Sequence, residues 1–439
     1  MNMLPCMNKK NIRYKTVVTF SLILSFLFFF YHFWEMSALF YLGLVALAIG
    51  VFLFTEKESF LVISFLIPNL FMFKQIDTES AILGYVFLLL SVRFLIKNFN
   101  TNNKVNIFLA LHIVFTLLTC FFYDDMGLLT SLIRFSFNFC LFSYCANLFV
   151  RDCEVKQVIR MYLAGVLLAI LMGIIFHYTE GDLYSGYFAG IGSGRNYFGA
   201  VVSPAITIII LYFLEKKVTV FDVALYSVTA ALCLISIVLS GSRTSVICLL
   251  IPIGLVIFCF VKSFFKFNFK LVPLIIVGVI IGVFVFSKYD ESVAFLLERF
   301  EDSDVKTGNN RFTLWVYYID EMTKNLWTCF IGSGSIDKVK VVEHNTVVQC
   351  LYELGIMGFA TLVGAVTLVY KKFVGENKLS LVSFFPLIAV ILPYMGINGL
   401  YGDQLSYLLV LCALIMKDFS KTKVTKIEGN VDQITIQDK

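Results

Sequence analysis

Apolar residues come in long blocks along this chain, and polar residues collect in the short gaps between them. Blocks at 16–34, 37–55, 59–73, 81–96, 105–123, 126–149, 161–177, 197–214, 220–240, 245–261, 271–287, 346–370, 379–397 and 404–416 read as helices. A span needs about twenty residues to cross the hydrocarbon layer, so the pattern predicts an all-α polytopic membrane protein with about fourteen transmembrane helices.

The charges in the gaps orient these spans. With the N-terminus in the cytoplasm, strict alternation puts Lys97 and Lys104, then Arg151, Lys156 and Arg160, then Lys216 and Lys217 inside. Lys262, Lys266, Lys270, Lys371, Lys372, Lys378, Lys417 and Lys421 follow them. The opposite gaps are short and almost free of Lys, as the positive-inside bias requires. The exception is 288–345, a long polar external loop, and a loop of that length is where function is sought. The segment before the first span carries Lys9, Lys10, Arg13 and Lys15 and has no small-x-small cleavage pattern, so it reads as leading into an uncleaved span. The tails 1–15 and 417–439 are expected in the cytoplasm, the second of them disordered, and 1–439 as one membrane domain without solenoid repeats.

Composition agrees and narrows the function. At 59% hydrophobic and 15% charged residues with mean hydropathy +0.86, no water-soluble domain could enclose so much apolar side chain. The net charge of +5 is spread over short loops instead of forming one basic face, so membrane topology explains it and nucleic acid is not an expected partner. Eleven cysteines lie mostly inside apolar runs with no CxxC pair, which argues against zinc and redox roles.

With charge this scarce, polar groups at the outer face are the informative ones. Gly192-Ser193-Gly194-Arg195-Asn196 enters a span; its glycines let backbone amides approach an anion and Arg195 can grip phosphate, although such a turn is also common as a plain turn. Ser240-Gly241-Ser242-Arg243-Thr244-Ser245 sets an Arg in a tiny external turn, against the charge bias of such turns; the alternative is an Arg snorkelling to headgroups. In Asn309-Asn310-Arg311-Phe312-Thr313-Leu314-Trp315, Arg311 and Trp315 share a helix face at i, i+4; an amphipathic helix on the membrane surface with Trp315 at headgroup level has the same pattern. Asp302-Ser303-Asp304 imitates a metal-binding DxD motif, but two solvated aspartates are commonplace and nucleotide sugars are cytoplasmic, so no metal site is assigned.

The fourth place is Ile331-Gly332-Ser333-Gly334-Ser335, then Glu343-His344-Asn345, then a span with Gln349, Glu353, Gly355 and Gly358. Asn345, Gln349 and Glu353 recur every four residues and draw a polar stripe from the outer interface into the bilayer. His344 starts that stripe and ends the long loop. His32 and His177 sit near outer span ends and His112 lies within a span, where structural roles are expected. Arg134, about 12 Å below the outer face, and Glu353, at about 13 Å, share a depth, which suggests an ion pair between them supporting the site.

The order Ser242-Arg243-Thr244, Arg311 with Trp315, a Gly-rich stretch, His344-Asn345, and Glu353-Leu354-Gly355-Ile356-Met357-Gly358 resembles the O-antigen ligase and Wzy-type O-antigen polymerase superfamily. The resemblance covers span number, the late external loop and roughly the second half of the chain. It implies a C-type glycosyltransferase-like fold and a metal-independent, inverting glycosyltransferase without a cofactor. Its donor would be an undecaprenyl-diphosphate oligosaccharide, and in polymerisation the acceptor also. Arg243 and Arg311 match the family's essential arginines, His344 its essential histidine, and Arg195 a less uniform position. After the His-Asn pair this chain has Thr346-Val347-Val348 where the family usually has an aromatic residue or Leu.

The residues' own chemistry agrees. Arg forks stabilise a departing lipid diphosphate without a proton donor, and a His can take the proton of an attacking sugar hydroxyl. The resulting expectation is a surface-polysaccharide polymerase at the outer side of the inner membrane, embedded in membrane lipid and with a chain-length regulator as candidate partner. The rival within the class is a ligase onto lipid A-core. A flippase or other secondary transporter would gather its polar residues near the midplane instead, and a scaffold would not need the Arg and His set.

Overall fold

The computed structural model describes residues 13–73, 103–123, 126–180, 195–262, 311–334, 345–375, 379–397 and 402–435, together with isolated positions elsewhere. The described secondary structure is helical throughout: α1 (Tyr14–Trp34), α2 (Ser37–Leu53), α3 (Glu56–Leu66), α4 (Lys104–Tyr123), α5 (Met126–Asn147), α6 (Asp152–Glu180), α7 (Arg195–Glu215) and α8 (Val220–Ser240). There follow α9 (Arg243–Cys248), α10 (Leu250–Lys262), α11 (Arg311–Thr323), α12 (Leu326–Ile331), α13 (Thr346–Val374), α14 (Phe385–Tyr394) and α15 (Asp403–Thr435).

Among the described residues eight helices are long and apolar enough to cross a membrane: α1, α4 to α8, the continuous stretch Arg243–Lys262, and α13. Two more apolar helices, Ser37–Gly50 and Leu381–Tyr394, are shorter. The runs 81–96 and 271–287 fall largely outside the described residues. The run 59–73 departs from expectation, since only eleven residues form α3 before a 3-10 stretch, Ile67–Phe73. Pro68 has no N–H to continue the helix, and Asn69 turns its side-chain amide onto the carbonyls of Phe65 and Gly165. From Glu58 to Leu66 every residue of α3 is buried, so the run packs inside the bundle instead of facing lipid as a span of its own.

Ion pairs sew one end of the bundle together. Arg13 binds Glu58, Lys57 and Arg151 bind Glu154, Arg160 binds Asp222, and Lys216 binds Asp418. Lys156 donates to the carbonyl of Lys217, and Lys417 to those of Asn147 and Phe149 at the end of α5. The basic gaps that alternation put on one side of the membrane thus meet one another in space. The expected disordered tail is corrected here: α15 continues to Thr435, and Asp418 is buried between Lys216 and the Tyr212 hydroxyl. A buried carboxylate with two partners holds the chain in the bundle beyond the last apolar run.

At mid-bundle α4 runs along α13. His112 is fully buried and its Nδ1 bridges the Gly358 carbonyl and the Thr361 hydroxyl of α13, 3.0 and 3.1 Å away. His32 likewise reaches the Met72 carbonyl. Both histidines fasten helices, as their positions in the sequence suggested.

Candidate functional site

At the opposite end from the ion pairs, four chain segments converge. The first is the tight turn between α8 and α9. Gly241 closes α8 in a left-handed conformation (φ 56°), where a Cβ would be strained, and Ser242 caps α9 by accepting from the Ser245 amide. The Ser242 hydroxyl donates to the Asn196 side-chain carbonyl at the start of α7, 2.9 Å away. Gly199 of α7 lies so close to Ser245 that no side chain fits between them. Arg243, the first residue of α9, is therefore carried on a turn clamped to α7. Arg195 begins α7 beside Asn196, next to the same turn.

The second segment is the turn after α14. Gly396 packs on the Thr244 side chain, and the Ile397 carbonyl accepts from the Thr346 hydroxyl at 2.9 Å. That bond joins the Arg243 turn to the third segment, the start of α13. Thr346, which departs from the family pattern, is thus a strut between helices. Asn345 caps α13, its side-chain oxygen accepting from the amides of Val347 and Val348. The expected stripe is present in part: Gln349 donates to Glu353 at 3.4 Å, and Asn345, Gln349 and Glu353 are all buried. His344 lies outside the described residues, as do Asp302, Ser303 and Asp304.

The fourth segment is α11. Its inward stripe is Arg311, Trp315, Tyr318 and Met322, which is why Arg311 and Trp315 share a face. Tyr318 packs edge-on against Tyr352 of α13 with ring centroids 4.9 Å apart, and Val348 and Trp315 complete the cluster. Trp315 is therefore a packing residue facing protein, in contrast to the headgroup position that its sequence pattern also allowed. Docking on α13 holds Arg311 at the same end of the bundle as Arg243, near enough to feel its charge. Burial, and then the nearby Arg243 charge, push the Arg311 guanidinium below its ordinary pKa. Among the described residues no carboxylate lies within ion-pair distance of Arg311.

The suggested pairing of Arg134 with Glu353 is overturned. Arg134 instead faces Asp403 at the start of α15, with Nε 3.7 Å from Oδ1, and Asn138 donates to the same carboxylate at 2.7 Å. Equal depth along two helices does not bring them into contact; α5 packs on α15, so the first acidic residue of α15 takes the arginine.

What the sequence did not disclose is a break in α13. Gly355 is non-helical (φ 66°, ψ −175°), and the carbonyls this break frees accept from the loop after α12: Ser333 N–H to Tyr352 at 2.7 Å, and Gly334 N–H to Glu353 at 3.4 Å. A Cβ on Gly332 would strike the Glu353 carbonyl, and one on Gly355 the Phe330 carbonyl. The glycine pattern in Ile331–Gly334 and Glu353–Gly358 was visible, but not that the two motifs interlock.

Residues 228–363 match the Wzy_C family, described as O-antigen ligase. The match spans the Arg243 turn, α11, α12 and the broken start of α13, and supports the O-antigen ligase and polymerase superfamily that these motifs resemble. No curated protein matches the chain.

Proposed function

We propose that the protein is a surface-polysaccharide polymerase, which joins undecaprenyl-diphosphate-linked oligosaccharide units at the outer side of the inner membrane by inverting glycosyl transfer. The observation that carries this reading is the approach of Arg311 to Arg243. Two guanidinium groups near one another repel, and an anion with more than one charge is a ligand that their combined charge favours. A diphosphate leaving group is such an anion, and fixed Arg forks stabilise its charge as the glycosidic bond breaks. His344, one residue before the Asn345 cap, is the proposed base that takes the proton of the attacking sugar hydroxyl. Arg195, beside the Arg243 turn, is the proposed third cation. Asn345, Trp315 and Glu353 hold α13 and α11 in the arrangement that supports them.

Ligase transfer onto lipid A-core would use the same donor chemistry and differ only in its acceptor. The experiment that tests the proposal supplies purified protein in vesicles with undecaprenyl-diphosphate repeat units, with and without lipid A-core. Polymer on undecaprenyl diphosphate in the absence of lipid A-core is the expected product. Glycan appearing only on lipid A-core would replace polymerase with ligase, and translocation without a new glycosidic bond would overturn both.

A further inference from the structure

The surface of α11 falls into three stripes about 100° apart on the helix circumference. Arg311, Trp315, Tyr318 and Met322 face α13. Thr313, Asp320 and Lys324 form an exposed polar stripe. Between these runs a third stripe, Phe312, Val316 and Ile319, which is apolar and exposed. It continues onto α12 as Leu326, Trp327 and Phe330, and all six side chains are between 44% and 73% exposed. In water a contiguous ridge of this kind would be an association liability.

The attachment of α12 fixes how deep this ridge lies. The Thr119 hydroxyl donates to the Ile331 carbonyl, and Thr119 sits about 6 Å inward of the end of α4 at 1.5 Å per residue. Phe121 and Phe122, farther out on α4, are themselves 85% and 62% exposed. The inner end of α12 is therefore below a level at which aromatic side chains already face outward. The loop expected to be wholly in water returns to the bundle wall here.

We propose that α11 and α12 form a lipid-seated hairpin, with the ridge from Phe312 to Phe330 immersed among the acyl chains of the leaflet at the Arg243 end of the bundle. Lipid is the occupant because the ridge is continuous with the apolar outer end of α4, holds no charge, and is flanked about 100° around the helix by a polar stripe that can meet water, as on an interfacial helix. Trp327, not Trp315, is then the interfacial aromatic. The hairpin keeps Arg311 at the boundary between acyl chains and water. This inference rests on the membrane reading of the chain and not on glycosyl transfer.

The test uses tryptophan fluorescence, since the chain has three Trp residues. The Trp34→Phe, Trp315→Phe double variant leaves Trp327 alone and is reconstituted in phosphatidylcholine vesicles with or without bromine on the acyl chains. Bromine is expected to remove most of the emission, and aqueous iodide little of it. Quenching by iodide and not by bromine would place the hairpin in water; insensitivity to both would mean a protein covers the ridge, a second copy included. Either outcome overturns the proposal. If the double variant does not fold, the bromine-dependent emission lost on Trp327→Phe substitution in the otherwise unaltered chain gives the same reading. No outcome depends on enzymatic activity, so failure here leaves the polymerase reading standing.

Discussion

Arg243 stands close enough to Arg311 to oppose its charge, although one opens a helix inside the bundle wall and the other opens a helix of the long loop. Bidentate geometry is what such a pair offers a diphosphate, and a lysine supplies charge without the fork. Arg243→Lys and Arg311→Lys are therefore expected to fail almost as completely as the corresponding Ala variants. Gel ladders of the polysaccharide read this directly; full ladders from the Lys variants would reduce the pair to interface anchors.

The interlock between the loop after α12 and the break in α13 leaves no room for a Cβ at Gly332 or Gly355, and both have positive φ (86° and 66°). Positive φ with ψ near 180° is a region essentially reserved for glycine, and it costs a residue with a Cβ about 1–3 kcal/mol before any collision is counted. Gly332→Ala and Gly355→Ala should each lower the thermal midpoint of the detergent-solubilised protein. Gly278→Ala, with no described residue within 4 Å of the new methyl, should leave it in place.

Arg134 and Asp403 form a buried pair that Asn138 completes. Removing the arginine strands a carboxylate that is 1% exposed, at a cost of about 3 kcal/mol. Arg134→Ala should thus destabilise the protein, and adding Asp403→Asn should recover part of the loss. A double-mutant cycle with Glu353→Gln in place of Asp403→Asn should show no such recovery.

His344→Ala is expected to slow transfer by about 10²–10⁴ while leaving protein abundance unchanged. Cells carrying it should accumulate undecaprenyl-diphosphate repeat units on the outer leaflet, detectable by an impermeant lectin. Units stranded on the inner leaflet would point to a flippase, and polymer of normal amount and length would make His344 structural.

Alternation of the spans is expected to put 288–345 outside and both tails in the cytoplasm. A Cys placed at Ser303 should react with an impermeant maleimide in cells whose outer membrane has been permeabilised but whose inner membrane is intact. Labelling that required lysis would reverse the orientation.

The sequence by itself determined the helical class, most helix boundaries and the residue types at the site, because these depend on local quantities. Lengths of apolar runs set the spans, and the i, i+4 spacing of Arg311 and Trp315 fixes their shared face. Where the sequence reading went astray, partners from distant helices had decided the outcome. Depth along a helix could not tell Arg134 that α15 lies beside it and supplies Asp403, and the two readings of Trp315 could be separated only by its packing against Tyr318, Val348 and Tyr352. Only tertiary structure decided that Gly332 and Gly355 meet, since a helix breaks there at tolerable cost only because another segment's amides satisfy the carbonyls it releases.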